Sequence, residues 1–451
     1  MGPPAASSAA LRIENSVRTT REAINCRGEP DCFVYLGVVG GSAPLIAIGL
    51  ELRRRGHEVS FCVSETYRAR IISLGFGFEP LRPDATPENP AMSQLVREIM
   101  DPRKGAERLI RGLLLPGLRA TYEDLLRAIV KPRQADLLVC GELVYPAPLI
   151  AEKLGIPWAS YITAPMSFFS RYDLPVLPPA PQLAVVLRRM GPAIGGAAIN
   201  LVKFATRNWS EPIRTLRKEL DLPPGKDAIY EGKFSPHLVL ATFSQVMAKP
   251  QPDWPPATVL TGFPFYDGAP EENSVPPELT RFLETGDPPI VFTLGSSAVH
   301  DPGRFYVESA QAAGLLNRRA VLLVGRNPRP QPLPEGVIAV PYVRFSELFP
   351  RATAVVHQGG IGTTGQTLRA SRPMLVMPYN FDQPDNAARM TRLRVGRSIL
   401  RACYSARRVA RHLEILLGDP SYTTNSEEIG KVLQRENGAV TACDALQKLL
   451  R

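Results

Sequence analysis

The 451-residue chain contains 44% hydrophobic and 21% charged residues, close to the average of globular proteins, and carries a formal net charge of +10. It has no apolar run long enough to span a bilayer, and its six scattered cysteines form no C-x-x-C pair that would support a zinc site or a redox motif. The excess charge is arginine spread along the chain without interleaved aromatics. This argues against a nucleic-acid site and leaves open an anionic substrate or weak association with a membrane surface.

The first elements alternate between strand and helix. Residues 1–30 lack the layout of a signal peptide, so we expect a loosely ordered extension on a cytoplasmic protein. "CFVYLGVV" (Cys32–Val39) is a continuous apolar run typical of a buried parallel strand, and a helix over Leu45–Gly56 and the strand "HEVSFCVS" follow it. "ADLLVCGE", "APLIAEKLG" and "IPWASYIT" repeat the pattern. The alternation predicts a doubly wound parallel sheet over 31–247.

An irregular insert, 82–131, interrupts this alternation with amphipathic helix on either side of Pro116. The insert could form a wall of a substrate pocket or a membrane-facing patch. General experience with amphipathic helices favours packing against the first sheet.

The alternation restarts after the proline-rich segment 248–259, "AKPQPDWPPATV", which we predict to be a linker. Strand and helix patterns over 260–420 predict a second Rossmann-like domain, so the fold class is α/β with two doubly wound parallel sheets. The helical tail 421–451 is expected to pack back on the first domain. Two such domains facing across a cleft bind ligands at the carboxyl ends of their strands.

The most informative motif is "HQGGIGTTGQ" (His357–Gln366), which contains a G-x-G-x-x-G pattern between a strand and a helix. Its glycines allow close approach of a ligand, and the N–H groups at the start of the helix favour phosphate. His357 and Gln358 can both donate hydrogen bonds to phosphate oxygens. A tight turn without any ligand is the alternative interpretation.

The segment "NFDQPDNAARM" places Asp382 and Gln383 beyond the next strand. A carboxylate beside an amide suits sugar hydroxyls, and either Asp382 or Asp385 could also cap the helix that follows. An NAD-dependent oxidoreductase would want an acidic residue near this position, but its glycine motif belongs after the first strand of the chain. We therefore regard the dehydrogenase interpretation as unfavoured.

Together, "VVHQGGIGTTGQTLRASRPMLVMPYNFDQPDNAARMTRLRVG" resembles the donor-binding signature of family 1 nucleotide-sugar glycosyltransferases, which have the GT-B fold. The resemblance extends over most of the chain through "GGSAPLIAIGLELRRRGHEV" and "VFTLGSSAV". The segments "DPR", "PDWP", "TGFPFYDG" and "GGIG" look closest to the bacterial rhamnosyltransferase of rhamnolipid synthesis, and sterol glucosyltransferases belong to the same group. The resemblance implies a hexosyltransferase without a cofactor, whose co-substrate is UDP-glucose or a dTDP-sugar.

The resemblance also implies a donor site formed by residues of four loops: Ser296, Tyr342, Val343, His357, Gln358, Gly360, Gly362, Thr363, Asp382 and Gln383. Ser296 would approach the diphosphate, and Tyr342 would stack on the nucleotide base. Phe345 stands where plant members carry glutamine, and Gln358 where many relatives carry a second histidine. The departure in the base-binding loop leaves the choice between UDP and dTDP open, and the departure at Gln358 leaves open whether His357 or Gln358 touches the phosphate.

The implied reaction is a single displacement with inversion at the anomeric carbon, in which an acceptor hydroxyl must lose its proton. The helix N-terminus could stabilise the leaving diphosphate without metal, and no Asp-x-Asp motif is present. The family places its general base where this chain has Gly41, which cannot accept a proton. Another group could serve, the base could be lost, or the acceptor could need little help.

Substitutes for the base are Asp84, Glu142 and Asp173, while His57 fits a structural role better. Acceptor-wall candidates are Gly41, Tyr145, Met166, Phe168 and Phe169, although each of the large side chains is equally suited to the core. The expected acceptor is small and apolar or amphipathic: phenolic, terpenoid, sterol or lipid. The rival functions are a sugar-nucleotide epimerase of the same architecture and a nucleotide-sugar binder without a base.

Overall fold

The structure is a computed structural model that describes residues 32–37, 43–83, 90–131, 134–178, 180–268, 275–295 and 298–450. The predictions made for the extension 1–30 and for Gly41, Asp84 and Ser296 lie outside these residues. Two parallel sheets, each covered by helices, organise the described chain, as the alternating pattern predicted.

The first sheet has the strand order β3-β2-β1-β4-β5-β6-β7, with every neighbouring pair parallel. The strands are β1 Phe33–Gly37, β2 Glu58–Val63, β3 Gly77–Pro80, β4 Leu137–Gly141, β5 Trp158–Ile162, β6 Leu238–Ala241 and β7 Thr258–Leu260. The apolar runs of β2, β4, β5 and β6 are buried because helices cover both faces, whereas the edge strands β3 and β7 are less buried. The last strand, β7, occupies the end of the segment that we predicted to be a linker, since Leu260 pairs with Ala241 of β6.

The helices of this half are α1 Ala43–Arg54, α2 Arg68–Ser73, α3 Pro90–Ile99, α4 Gly105–Leu109, α5 Leu118–Val130, α6 Pro146–Leu154, α7 Pro181–Arg189, α8 Pro192–Thr206 and α9 Glu211–Glu219. One turn of π-helix, Ile110–Leu114, connects α4 to α5.

The insert contacts both halves of the molecule. Helix α5 buries Leu125 and Ile129 in the same cluster as Leu138 of β4, which is the packing on the first sheet that the sequence favoured. At the other end of the insert, Met100 belongs to the core of the second domain. Asn380 Nδ2 donates hydrogen bonds to the carbonyl oxygens of Ile99 at 2.7 Å and Asp101 at 3.1 Å. The turn after α3 therefore docks on the second domain.

The second sheet has the order β10-β9-β8-β11-β12-β13 and is also fully parallel. Its strands are β8 Ile290–Thr293, β9 Ala320–Leu323, β10 Val337–Val340, β11 Ala354–His357, β12 Met374–Val376 and β13 Gly396–Ser398. Its helices are α10 Pro277–Glu284, α11 Phe305–Leu315, α12 Phe345–Leu348, α13 Ile361–Arg369, α14 Gln383–Arg392 and α15 Ala406–Gly418. The chain reverses direction across the sheet between β8 and β11, and such a switch point creates a ligand crevice at the carboxyl ends of the strands.

The two C-terminal helices pack on different halves. Helix α16, Pro420–Arg435, contacts α13 and α15 of the second half. Helix α17, Gly438–Leu449, contacts α1 and β6 of the first half, and Gln447 accepts a hydrogen bond from Arg55 Nη1 at 2.7 Å. We propose that α17 belongs with the first domain and α16 with the second, so that only part of the tail 421–451 returns to the first domain.

Candidate active site

The glycine-rich turn after β11 is tight on one side and open on the other. Gly359 has a φ of +90°, and a Cβ atom on it would come within 2.6 Å of Val376 Cγ1, so the turn requires glycine here. Gly360 precedes the first turn of α13, as the motif predicted. Apart from its own helix backbone and chain neighbours, no atom of the described residues lies within 4 Å of a Cβ built on Gly362. The N-terminus of α13 therefore faces open space, and its N–H groups and dipole favour an anion there.

The ring of His357 lies beneath the turn, with none of its surface exposed. Its Nδ1 atom accepts the N–H of Gly359 at 3.0 Å, and its Nε2 atom lies 3.3 Å from the sulfur of Met374. Burial lowers the pKa of His357 to about 3, so the ring is neutral at physiological pH. His357 stabilises the turn from within rather than presenting its ring to the open side.

Gln358 is also buried, but its amide lies between two glycine-containing loops. A Cβ on Gly295, in the loop after β8, would come within 2.0 Å of Gln358 Nε2, and a Cβ on Gly360 within 2.7 Å. Its Oε1 atom has no hydrogen-bond partner among the described residues, and neither does the hydroxyl of Thr364. Buried polar atoms without partners are costly, which makes them candidates for contact with a ligand or water.

Asp382 caps α13 rather than the helix it precedes. Its Oδ2 atom accepts the N–H of Ile361 at 3.1 Å and a hydrogen bond from Asn386 Nδ2 at 2.7 Å. Its side chain makes no capping bond to α14, so the alternative that it caps the following helix is wrong for this residue. Burial raises the pKa of Asp382 to about 6, against the opposing effect of these hydrogen bonds. The neighbouring Gln383 accepts the N–H of Tyr379 through Oε1 at 2.8 Å, which leaves its amide nitrogen as a donor.

The loop after β10 contains two predicted donor-site residues, one exposed and one buried. Tyr342 is 51% exposed, with its ring centroid 6.3 Å from that of Phe345. Val343 is buried in the hydrophobic cluster that contains Leu348. Tyr342 can therefore present an aromatic face to a ligand, whereas Val343 could contribute only its backbone.

The C-terminal part of the chain matches the family model "Erythromycin biosynthesis protein CIII-like, C-terminal domain" over residues 313–438. O-mycaminosyltylonolide 6-deoxyallosyltransferase of Streptomyces fradiae is 31% identical over 434 residues, which cover 92% of this chain and 96% of the relative. The chain belongs to the family 1 GT-B glycosyltransferases. Sterol 3-beta-glucosyltransferase UGT80A2 of Arabidopsis thaliana is 26% identical, over 92% of this chain and 65% of its own length.

Solved structures share the fold of this glycosyltransferase. Spinosyn forosaminyltransferase SpnP has a TM-score of 0.67 at 17% identity, with 93% of this chain and 99% of that chain covered. VinC in complex with dTDP has a TM-score of 0.62 at 18% identity, also over 93% and 99%. The enzyme thus transfers a sugar from a nucleotide sugar on a GT-B framework of two Rossmann-like domains.

A buried ion cluster joins the two domains of the glycosyltransferase beside α14. Arg389 donates from Nε to Asp385 Oδ2 at 2.7 Å and from Nη1 to Asp173 Oδ2 at 2.6 Å and to the carbonyl of Met247 at 2.9 Å. The other oxygen of Asp385 accepts the N–H of Val176 at 3.0 Å. Asp173, a candidate base, is therefore held by a guanidinium group and serves the domain contact.

The first domain contains a cavity of about 1160 Å³ whose lining residues all lie between Cys140 and Ala257. Four of the predicted side chains line it: Glu142, Tyr145, Phe168 and Phe169. Met166 is partly buried in the same turn but does not line the cavity. Phe168 stacks on Trp254 with ring centroids 4.1 Å apart, so its ring is fixed in the wall.

Glu142 is held inside this cavity by two donors. Its Oε1 atom accepts from the hydroxyl of Ser167 at 2.7 Å, and its Oε2 atom accepts from Lys233 Nζ at 2.6 Å. The carboxylate is therefore fixed in one orientation on the cavity wall. An ion pair of this kind in a partly enclosed site restricts the carboxylate strongly.

The cavity wall is connected to the second domain through a short segment. Asp253 accepts the hydroxyl of Ser170 at 2.6 Å and the N–H of Arg171 at 2.9 Å, which fixes the chain immediately after Phe169. Two residues later, Asp173 bonds Arg389 of α14. A continuous chain of contacts thus connects α14, which begins at Gln383, to the cavity wall.

His57 lies away from this region, against the C-terminal helix. Its ring is buried and its Nε2 atom lies 3.1 Å from Gln447 Nε2 of α17. Burial lowers the pKa of His57 below its ordinary value. Among the described residues, no group of three or more His, Cys, Asp or Glu side chains is placed to hold a metal ion.

The sequence did not single out Asn386 and Arg389. The signal was present, because Asn386 follows Asp382 by four residues and Arg389 follows Asp385 by four, the spacing that brings side chains together on a helix. Within the described part of the chain, no helix combines the length and apolarity needed to cross a membrane.

Proposed function

We propose that this glycosyltransferase moves a hexose, with inversion, from a UDP- or dTDP-sugar to a hydroxyl of a small apolar or amphipathic acceptor. The observation that carries the proposal is the hydrogen bond between Asp382 and the backbone of Ile361. It places a carboxylate suited to sugar hydroxyls directly beside a helix N-terminus suited to a phosphate. A diphosphate at the open turn would have its attached sugar within reach of Asp382 and Gln383.

The donor would be held by groups with distinct tasks. The diphosphate lies against Gly360, Gly362 and Thr363, where the N-terminus of α13 stabilises the charge of the leaving group without a metal. Gln358 would donate a hydrogen bond to the diphosphate at the same turn, because its side-chain amide lies against Gly360 and Gly295. Tyr342 stacks on the base. Asp382 and Gln383 bind sugar hydroxyls, one accepting and the other donating a hydrogen bond.

The acceptor would lie in the cavity of the first domain. Aromatic walls with a few fixed polar groups are typical of sites for small apolar or amphipathic molecules. The names of two relatives support such an acceptor, since one acts on a sterol and another on O-mycaminosyltylonolide. The contacts between the cavity wall and α14 would fix the position of a bound acceptor relative to the donor sugar.

We propose Glu142 as the group that takes the proton of the acceptor hydroxyl. Both carboxylates are bound by a cation, but only Glu142 lines the cavity, whereas Asp173 lies at the contact with α14. A base must lie within hydrogen-bond reach of the proton that it removes, and a position on the cavity wall meets that condition for a bound acceptor.

Nucleotide release tests the proposal directly. Purified protein is incubated with UDP-glucose, dTDP-glucose and dTDP-rhamnose, each with phenols, sterols and hydroxy-fatty acids, and free nucleotide and product masses are followed. Acceptor-dependent release with a mass gain of one sugar, and an anomeric configuration opposite to that of the donor by NMR, is the expected result. Donor binding without release across the panel would favour a binder without a base, and conversion of the donor sugar without an acceptor would favour an epimerase.

A further inference from the structure

Helices α7 and α8 turn large apolar side chains toward solvent. Of the fourteen exposed large hydrophobic side chains among the described residues, seven fall within 22 consecutive positions, which marks this segment as different from the rest of the surface. They are Leu183, Val185, Val186, Met190, Ile194, Leu201 and Phe204. Single exposed hydrophobics are ordinary on protein surfaces, whereas a cluster of this kind indicates an interaction site.

The exposed side chains of α8 follow a helical period. Ile194, Ala197, Leu201 and Phe204 are spaced three or four residues apart and all are exposed, so they form one apolar stripe on the outer side of the helix. The inner side is occupied differently, since Ile199 is buried and also lines the cavity of the first domain. A helix that covers a protein core usually presents polar residues outward, and α8 does the opposite. We call the outer side of these two helices the α7–α8 face.

The segment that forms this face contributes charged side chains of one sign only. Between Leu174 and Ser210 the chain has no aspartate or glutamate, but it has four cationic residues: Arg188, Arg189, Lys203 and Arg207. Arg188 pairs with Asp173 and Asp385, and Lys203 pairs with Glu231. Arg189 and Arg207 are exposed, and no carboxylate in the described parts of the chain forms an ion pair with either. Arg207 instead lies over the ring of Phe204, 4.0 Å from its centroid.

We propose that the α7–α8 face docks on the surface of an anionic lipid bilayer. Leu201 and Phe204 would enter the boundary of the acyl chains, and Arg189 and Arg207 would lie at the level of the lipid phosphates. An apolar stripe edged by cations is the pattern of helices that lie in a membrane interface. The absence of acidic side chains over 174–210 favours anionic lipid over a protein partner, whose mixed surface charges would call for both signs.

The position of α8 gives this contact a consequence for catalysis, which rests on the proposed function. Because Ile199 and Lys203 line the cavity from the inner side of α8, this helix separates the cavity from the membrane surface. An amphipathic acceptor dissolved in the bilayer would then need to pass only the edge of one helix to reach the cavity.

Vesicle flotation measures the docking without any substrate. The full-length protein is mixed with vesicles of phosphatidylcholine alone or with about one third phosphatidylglycerol, at low and high salt. We expect binding to the anionic vesicles that weakens with salt. The variant Leu201→Ser with Phe204→Ser should bind at least about tenfold more weakly, because it loses the apolar anchor. The matched control, Leu315→Ser with Leu400→Ser, removes side chains of similar exposure elsewhere and should bind as the wild type does.

A spectroscopic variant reports insertion directly. In Phe204→Trp, the new indole should shift its emission to shorter wavelength on anionic vesicles and should be quenched by brominated lipids. Arg189→Gln with Arg207→Gln should weaken binding to anionic vesicles by about tenfold or more, and binding to neutral vesicles much less. Thermal unfolding of every variant verifies that the fold is intact.

Three results would overturn the proposal. The first is failure of the wild-type protein to float with anionic vesicles, and the second is equal flotation of the Leu201/Phe204 variant and the wild type. The third is a lipid-free dimer, seen by light scattering, that the Leu201/Phe204 variant abolishes, because a second copy of the chain would then cover the face. Nucleotide release with a water-soluble phenol is measured without vesicles, so its failure would count against the proposed function and not against docking.

Discussion

The carboxylate of Asp382 and the backbone of Ile361 join the two halves of the donor site: Asp382 Oδ2 accepts the Ile361 N–H at 3.1 Å. Asp382, which we propose binds the sugar, therefore caps the N-terminus of α13, which we propose binds the diphosphate. This one hydrogen bond fixes the position of the carboxylate relative to the helix end. The helix dipole stabilises a negative charge at this position, but burial works against it and raises the pKa of Asp382 to about 6. The site thus holds a carboxylate in an environment that costs the unliganded protein stability.

The variant Asp382→Asn should stabilise the unliganded protein at neutral pH while weakening donor binding. The folded protein binds the Asp382 proton more tightly than the unfolded chain, whose carboxyl has the ordinary pKa of 3.8. The contribution of the carboxyl to stability is therefore greatest below about pH 4, falls as the pH rises to about 6, and stays constant above it. We expect the free energy of unfolding of the variant to exceed that of the wild type by about 1–3 kcal/mol at pH 7.5, and by much less at pH 4.

Chemical denaturation across this pH range and calorimetric titration with nucleotide sugars measure the two effects. Asp101→Asn is the matched control, since the N–H groups of Lys104 and Arg103 lower the pKa of this exposed carboxyl. Its loss should reduce stability at neutral pH rather than raise it. An increase in both variants would point to a general effect of net charge and would contradict the assignment to Asp382.

Gly362→Ala should leave the fold intact and remove donor binding. A methyl group at this position meets no other atom of the described part of the chain within 4 Å, outside its own helix, and alanine is favoured over glycine within a helix by about 0.5–1 kcal/mol. The same methyl group would occupy the space proposed for the diphosphate, so donor affinity should fall by about tenfold or more. Gly359→Ala is the contrasting variant: its φ of +90° and the 2.6 Å approach to Val376 predict a loss of stability. Normal donor binding by Gly362→Ala would mean that the diphosphate does not bind at this turn.

Substitution of Gln358 should mainly weaken donor binding, whereas substitution of His357 should mainly lower stability. Gln358→Ala should weaken donor binding by about tenfold with little loss of stability, because its buried Oε1 atom already lacks a partner. His357→Phe should cost about 1–3 kcal/mol of stability, because the N–H of Gly359 would lose its acceptor inside the protein. Thermal unfolding and donor titration on both variants separate the roles. A stable His357→Phe protein that no longer binds donor, beside a Gln358→Ala protein that binds normally, would reverse the two assignments.

The sequence predicted the features of the fold that depend on neighbouring residues. Runs such as "VLLV" and "AVVH" specify buried parallel strands, and the glycines after His357 specify a turn that opens a helix. Contacts between distant residues were not predictable in this way. Asp382 caps a helix that begins 21 residues earlier, and Arg389 bonds Asp173 across 216 residues, so both depend on how the elements pack.

Two further features are visible in part in the sequence, but their interpretation required the fold. The absence of acidic residues over 174–210 is a property of the sequence, but its meaning depends on α7 and α8 presenting apolar side chains outward. The role of His357 needed the fold, since a histidine before a glycine-rich turn can point toward the ligand or into the core. Only the packing against Met374 decides between them.

Glu142→Gln should lower kcat by about a hundredfold or more while donor affinity stays within about twofold, as expected for a proton acceptor that does not touch the donor. The neutral amide fits the same space but cannot take a proton. Ser167→Ala is the matched control, because it removes the hydrogen bond that Glu142 Oε1 accepts and keeps the carboxylate with its bond from Lys233 to Oε2. It should retain most of the activity. Single-turnover kinetics with a phenolic acceptor measure the rate of the chemical step in both variants. An equal loss of activity in Glu142→Gln and Ser167→Ala would contradict the role of Glu142.

Arg389→Met should destabilise the protein by about 3 kcal/mol, because it removes the closer of the two cations at buried Asp385, leaving only Arg188 at 3.5 Å, and breaks the bond to Asp173. Adding Asp385→Asn should recover part of that loss, since no charge then remains buried and an amide oxygen can still accept the N–H of Val176. Arg392→Met is the matched control: Arg392 lies 3.6 Å from Asp173 but is 45% exposed, so its loss should cost less than about 1 kcal/mol. Denaturant titration measures all three variants. Equal losses for the two arginines, or a double variant no more stable than Arg389→Met alone, would mean that the buried pair does not hold the domains together.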